Sequence, residues 1–218
     1  MIYENKRLTS IMTASLVIFV SIAFLSLYND GFLFDEVITS WIAQNSNAMV
    51  ESMELITVIG SSEFILVATL GMTVFFLSKR DWFNSFFLII LTFGGILLNL
   101  LLKVSFQRKR PGEMSNIEVF NYTIEIASYS FPSGHTMRSV ILFTFLIYIS
   151  YRLVKKESIK ILLYAICSII IAGVALSRIV LGAHFLSDTI AAISISVAWF
   201  CFVYITCQSY IKKCKSAG

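Results

Sequence analysis

The chain has 218 residues, of which 57% are hydrophobic and 14% charged, with 17 Lys and Arg against 13 Asp and Glu and a formal net charge of +4. Its mean hydropathy of +0.82 excludes a soluble globular domain and predicts an integral membrane protein, for which about 20 residues per crossing leave room for roughly six spans. The excess positive charge is topological before it is anything else, so it does not argue for a nucleic-acid partner.

Lys6 and Arg7 precede an apolar run over 11–28. That run is long for a signal sequence and LYND offers no small-x-small cleavage site, so it predicts a retained first span. The next segment, 32–54, mixes acids with Phe32, Phe34, Ile38, Trp41 and Ile42, a pattern that predicts a helix lying in the membrane interface with no part in chemistry. Further apolar runs occupy 57–78, 82–104, 134–151, 159–180 and 184–207, which with the first gives an all-α, polytopic bundle of six transmembrane helices forming a single domain, 1–218. Glu63 and Asn99 are intramembrane polar groups expected to face neighbouring helices. Cys167, Cys201, Cys207 and Cys214 fall in late apolar segments or the tail, so neither a disulfide framework nor a CxxC metal site is implied.

Eleven of the 17 basic residues (Lys6, Arg7, Lys79, Arg80, Arg152, Lys155, Lys156, Lys160, Lys212, Lys213 and Lys215) lie on one side if the spans alternate. That side is predicted to be cytoplasmic, with both termini on it. The other six, Lys103, Arg108, Lys109, Arg110, Arg138 and Arg178, break the rule by gathering at external ends. The only two histidines, His135 and His184, and the only two prolines, Pro111 and Pro132, fall in the same three places: 103–111, 132–135 and 177–188.

Several cations and two imidazoles facing one aqueous pocket suit an anion that is gripped and transformed, and guanidinium geometry favours phosphate. Lys103 and Arg110 address one pocket if the helix persists or the chain folds back. His184 and Asp188, four apart, would share a helix face, so that the carboxylate accepts the Nδ1 proton and frees Nε2. Arg178 and His184, six apart, meet one ligand only if the chain turns between them, and Gly182 supplies the turn. Pro132 fits the first turn of the fourth span, where Ser133 and Gly134 offer a hydroxyl and backbone N–H groups to an oxyanion. Two histidines and one aspartate could hold zinc, but neighbouring cations oppose a divalent ion, and no metal is expected.

The three segments, K-x6-RP, PSGH and SR-x5-H-x3-D, in this order on six predicted spans, resemble the signature of the type-2 phosphatidic acid phosphatases, also called lipid phosphate phosphatases. The resemblance implies that His184 is a nucleophile forming a phosphohistidine, that Asp188 orients it, and that His135 protonates the leaving group and then assists water. It implies that Lys103, Arg110, Ser133, Gly134 and Arg178 bind the phosphoryl oxygens, with no cofactor. The expected partners are membrane lipids and a phosphorylated lipid substrate such as phosphatidylglycerophosphate, undecaprenyl pyrophosphate or phosphatidate, met at the extracytoplasmic face of the cell membrane. Arg108 and Lys109 are read either as contacts to a second phosphate or as solvated loop charge. Arg138 contacts a second phosphate or headgroup, or pairs with an acid such as Glu63. A non-catalytic lipid-phosphate binding or transport protein is the alternative.

Overall fold

The computed structural model describes residues 2–28, 33–111, 117–119, 122–124 and 129–217. The chain runs α1 (Ile2–Tyr28), α2 (Leu33–Asn45), a 3-10 turn (Asn47–Met49), α3 (Val50–Val58), α4 (Ser62–Ser78), α5 (Trp82–Phe106), α6 (Gly134–Leu153), α7 (Glu157–Val180) and α8 (Leu186–Ala217). Six segments among the described residues are long and apolar enough to cross a membrane, and their exposed surface is a belt of large hydrophobics such as Val67, Leu70, Leu97 and Ile169. An all-α frame with six spans is therefore what the hydropathy predicted. A short antiparallel ribbon, β1 (Ile117–Val119) with β2 (Tyr122–Ile124), sits inside the α5–α6 connection.

Two expectations change. The segment 32–54 is not one interfacial helix: α2 ends at Asn45, and α3 begins at Val50. The second span is not continuous over 57–78 either, because the chain breaks at Ile59–Ser61 and restarts at α4, where the Ser61 hydroxyl caps Phe64 N–H at 3.1 Å. A break in an apolar environment frees backbone carbonyls that must find donors inside the protein. Arg138 Nε meets that need at the Gly60 carbonyl, 3.2 Å away.

The connection between α4 and α5 is tight. Asp81 N–H reaches back to the Phe76 carbonyl and Arg80 N–H to Leu77, both at 2.9 Å, with Arg80 in the left-handed region at φ 57. Asp81 then caps α5 through its carboxylate, accepting from Asn84 N–H at 3.2 Å. Short connections of this kind force neighbouring helices to run antiparallel.

One core, built from α4, α5, α6 and α8, centres on Phe87, Leu91, Phe145 and Phe200. Its rings meet edge-on or tilted, as between Phe87 and Phe145 at 5.8 Å and Phe87 and Phe200 at 5.5 Å. A second core joins α1 to α6 and α8 through Phe19, Ala23, Met137 and Ala191, with Phe131 completing it. Some polar side chains pair between spans: Trp199 Nε1 donates to the Leu91 carbonyl at 3.1 Å and Thr69 meets Thr92 at 3.3 Å. Asn99 behaves as predicted, buried and donating to the Pro132 carbonyl at 3.1 Å. Glu63 does not: it is exposed in the first turn of α4, where a carboxylate complements the positive helix end.

Candidate active site

The C-terminal ends of α5 and α7 and the N-terminal ends of α6 and α8 carry the unusual residues. Because successive spans alternate direction, these four ends lie at one end of the bundle. The α5 helix stops at Phe106, and Gln107 takes the left-handed conformation at φ 47. Arg110 is thus off the helix, and the chain folds back so that it and Lys103 act on the same charges. Lys103 is buried and its Nζ donates to the Tyr129 carbonyl.

The α7–α8 turn explains the spacing of Arg178 and His184. Gly182 sits at φ +63, its N–H reaches the Ile179 carbonyl at 3.0 Å, and Ala183 N–H reaches the Arg178 carbonyl at 3.1 Å. This is a Schellman closure with glycine where the left-handed residue must be. His184 N–H also donates to the Arg178 carbonyl at 3.1 Å, so the turn ties the histidine's backbone to that of the arginine. An added Cβ at Gly182 would meet nothing within 4 Å, which makes the cost of substitution purely conformational. Gly182→Ala is expected to lose about 1 kcal/mol in a detergent melt and to slow phosphate release, while Gly182→Asn recovers most of both losses because asparagine tolerates this region. Equal activity in all three proteins would refute this role for the turn.

His184 is not on the helix that carries Asp188, contrary to the expectation of a shared face. It precedes α8, and Asp188 lies in the first turn, where its Oδ2 accepts Phe185 N–H at 2.9 Å. That bond is half of a capping box, with the carboxylate at the third helical position reaching back to the N-cap. The imidazole Nδ1 is 3.5 Å from Asp188 Oδ2 and 3.3 Å from the Ser130 hydroxyl oxygen, and that hydroxyl in turn donates to Asp188 Oδ2. Since the single Ser130 proton is committed to Asp188, its oxygen can only accept from Nδ1–H. The neutral ring then carries its proton on Nδ1 and its lone pair on Nε2. Burial pushes the His184 pKa down to about 4, against the opposing pull of Asp188, so the lone pair is present at neutral pH.

His135 sits at the start of α6 and interacts electrostatically with Arg178, Arg138, His184 and Arg110. The two histidines, Arg138, and cations of the first and third sequence segments therefore share one locus. Arg138 Nη2 lies 3.4 Å from His135 Nδ1. A guanidinium can only donate, so Nδ1 accepts and Nε2 is the proton-bearing atom of the neutral ring. Arg178 Nη1 donates to Thr57 Oγ1 at 2.9 Å, while its Nε is buried without a protein partner among the described residues. A buried cationic donor in that condition is suited to an anion.

Pro132 lies one residue before the N-cap rather than in the first turn of the helix, because Ser133 is the N-cap and α6 starts at Gly134. The Ser133 hydroxyl accepts from Thr136 Oγ1 at 3.0 Å. A Cβ at Gly134 would come within 3.1 Å of Asn99 Oδ1 and 3.3 Å of Arg138 Nη1, so the helix entrance is too crowded for a larger residue. The N–H groups of its first turn have no acceptor within the helix.

Arg108 corrects both readings offered for it. It is neither solvated nor free for a second phosphate: its side chain is 10% exposed and bonded to Asp35 at 2.8 Å and to Asp188 at 2.7 Å. Lys109 is exposed and is solvated loop charge. Among the described residues Arg138 forms no ion pair with Glu63, though the two charges attract each other, and it donates to Gly60 and His135. Sequence reasoning missed Ser130, Thr57 and Asp35. Ser130 stands two residues before the proline of PSGH, and that closeness to the motif was the available signal; Thr57 and Asp35 gave none.

A six-span helical bundle that gathers cations, two imidazoles and a supported carboxylate at one end defines a membrane-embedded protein built to handle a phosphoryl-sized anion. Comparison with known proteins agrees. The PAP2 superfamily model matches residues 83–211, and phosphatidylglycerophosphatase B of Bacillus subtilis (strain 168) is 34% identical over 160 residues, covering 70% of this chain and 72% of that protein. The chain belongs to the PAP2 superfamily, and it is a membrane phosphatase of that family. In fold it is similar to the transmembrane PAP2-type phosphatidylglycerolphosphate phosphatase from Bacillus subtilis, with a TM-score of 0.76 and 24% identity over 93% of this chain and 96% of that one. It also resembles Aquifex aeolicus LpxE, with a TM-score of 0.58 and 21% identity over 79% and 96%.

Proposed function

We propose that the protein hydrolyses a lipid phosphate at the extracytoplasmic face of the cell membrane through a phosphohistidine on His184, as one membrane-embedded catalytic unit. The observation that carries this reading is the Asp188–Ser130–His184 arrangement, which leaves the Nε2 lone pair free beside buried cations. Nε2 attacks phosphorus, the bond from phosphorus to the lipid oxygen breaks, and His135, protonated to the imidazolium by the proton that the substrate phosphate brings as its monoanion, gives that oxygen a proton and is left as the neutral base. His135 then takes a proton from water as the water oxygen attacks phosphorus, the P–N bond breaks, and inorganic phosphate leaves with the lone pair back on Nε2. Lys103, Arg110, Arg178, Ser133 and the Gly134 N–H hold the phosphoryl oxygens and stabilise the charge that grows on them. The relative named phosphatidylglycerophosphatase B supports phosphatidylglycerophosphate as the first substrate to try. The basic residues at the opposite helix ends support cytoplasmic termini.

One experiment tests substrate and side together. Sealed right-side-out vesicles are given phosphatidylglycerophosphate, undecaprenyl pyrophosphate, phosphatidate and an impermeant soluble phosphate ester. The expected result is release from the first lipid at least tenfold faster than from the others, about 1.4 kcal/mol in transition-state binding, with the soluble ester cleaved without permeabilisation. No release from any lipid would refute the activity, and cleavage of the soluble ester only after permeabilisation would invert the topology.

A further inference from the structure

Asp35 lies in the first turn of α2, outside the residues that the family model matches, and is 2% exposed. Residues 29–54 contain no Lys or Arg, so a buried carboxylate there must find its partners elsewhere in the chain. It finds them at the support of the candidate nucleophile. Asp35 Oδ1 accepts the Ser187 N–H at 3.0 Å, and Oδ2 accepts the Ser187 hydroxyl at 2.5 Å and Arg108 Nη2 at 2.8 Å. Ser187 is the second residue of α8, whose N–H has no acceptor within its own helix. An N-cap side chain normally fills that role, but the N-cap here is Phe185. α2 therefore supplies the cap from 152 positions away.

Arg108 extends the arrangement. Its Nη1 donates to both Ser187 Oγ and Asp188 Oδ1 at 2.7 Å, and its guanidinium lies 4.3 Å from the centre of the Phe185 ring. One guanidinium is thus shared between two carboxylates. With Asp35 holding one arm, Arg108 engages only Oδ1 of Asp188, and Oδ2 is left to Ser130, Phe185 N–H and the imidazole. Without Asp35 the guanidinium is free to take Asp188 in a two-pronged grip, which is the stronger geometry for this pair, and that grip would draw Oδ2 from the ring.

We propose that Asp35 is a positioning residue of the phosphatase: from α2 it caps α8 and restrains Arg108, and so keeps Asp188 Oδ2 on the Ser130–His184 side. The inference rests on the reading of His184 as nucleophile. Asparagine at position 35 keeps an oxygen for the Ser187 N–H but loses the charge that holds Arg108, whereas alanine loses both.

The test uses the purified full-length protein in mixed micelles of phosphatidylglycerophosphate at pH 7, comparing Asp35→Asn, Asp35→Ala, Asp188→Asn, His184→Ala and the Asp35→Asn/Asp188→Asn double variant. Asp35→Asn is expected to lower kcat by about tenfold to a hundredfold with KM within about twofold and melting close to wild type. Asp35→Ala is expected to lower both kcat and melting temperature. In the Asp188→Asn background, Asp35→Asn should change kcat by less than about twofold, since residues acting through one another are not additive. Wild-type kcat in both Asp35 variants, a loss carried by KM, or multiplying effects in the double variant would each overturn the proposal while an inactive His184→Ala protein leaves the nucleophile reading standing. An active His184→Ala protein would take both down.

Discussion

Replacement of His184 by alanine is expected to reduce phosphate release by about 10⁴-fold or more while the protein still melts cooperatively in detergent. The size of the effect follows from what the side chain supplies. Nε2 is the lone pair on which the two-step route depends, and no other described residue combines a nucleophilic nitrogen with the Ser130 and Asp188 bonds that fix its tautomer. Fixed cations alone would still bind a lipid phosphate, so binding should persist when turnover is gone. The structural loss is modest by comparison: one ring hydrogen bond to Ser130 disappears, worth about 1 kcal/mol, against the bonds from Phe185 N–H, Ser130 and Arg108 that keep Asp188 in place. Protein from radiolabelled substrate, quenched in alkaline detergent, should show acid-labile, base-stable label in the wild type and none in the variant. Turnover within tenfold of wild type would remove the nucleophile and favour a protein that binds lipid phosphates without transforming them.

How much of this site could be read along the chain depends on how local its causes are. The spans were legible because burial in lipid imposes long apolar runs. The Gly182 turn was legible because six residues cannot bring Arg178 and His184 to one ligand on a straight helix. The Lys103–Arg110 spacing left two options open, and the left-handed Gln107 selects the folded-back one. What stayed hidden are bonds between distant positions. Asp35 has the sequence appearance of an ordinary acid in a helix's first turn, and only the fold shows that the helix it caps is α8. Arg108 sits in a run of three basic residues that reads as solvated charge, yet its neighbours in space are two carboxylates 73 and 80 positions away. The break at Ile59–Ser61 was marked only by the short run Gly60-Ser61-Ser62-Glu63 inside an apolar stretch, and the guanidinium that the break needs, that of Arg138, arrives from another span.

The second large effect concerns His135, and the leaving group is the means of isolating it. A lipid alkoxide is a poor leaving group without a proton, so His135→Ala should slow hydrolysis of phosphatidylglycerophosphate by about 10²- to 10⁴-fold, the range over which a positioned acid or base contributes. An aryl phosphate leaves without help. With that substrate the variant should form the phosphohistidine at a rate near wild type, and then stall, because the same imidazole is needed to deprotonate water. The signature is a burst of phenol equal to the enzyme present followed by slow turnover, with label accumulating on His184. Arg138, which donates to His135 Nδ1 and also holds the Gly60 carbonyl at the α3–α4 break, keeps the ring's Nε2 as its proton-carrying atom, so Arg138→Gln should show the same burst in weaker form. A His135→Ala protein that loses the burst and the steady state alike on the aryl substrate would show that the ring is needed before phosphorus is attacked, and its role would then be in binding or in orienting the phosphoryl group rather than in moving protons.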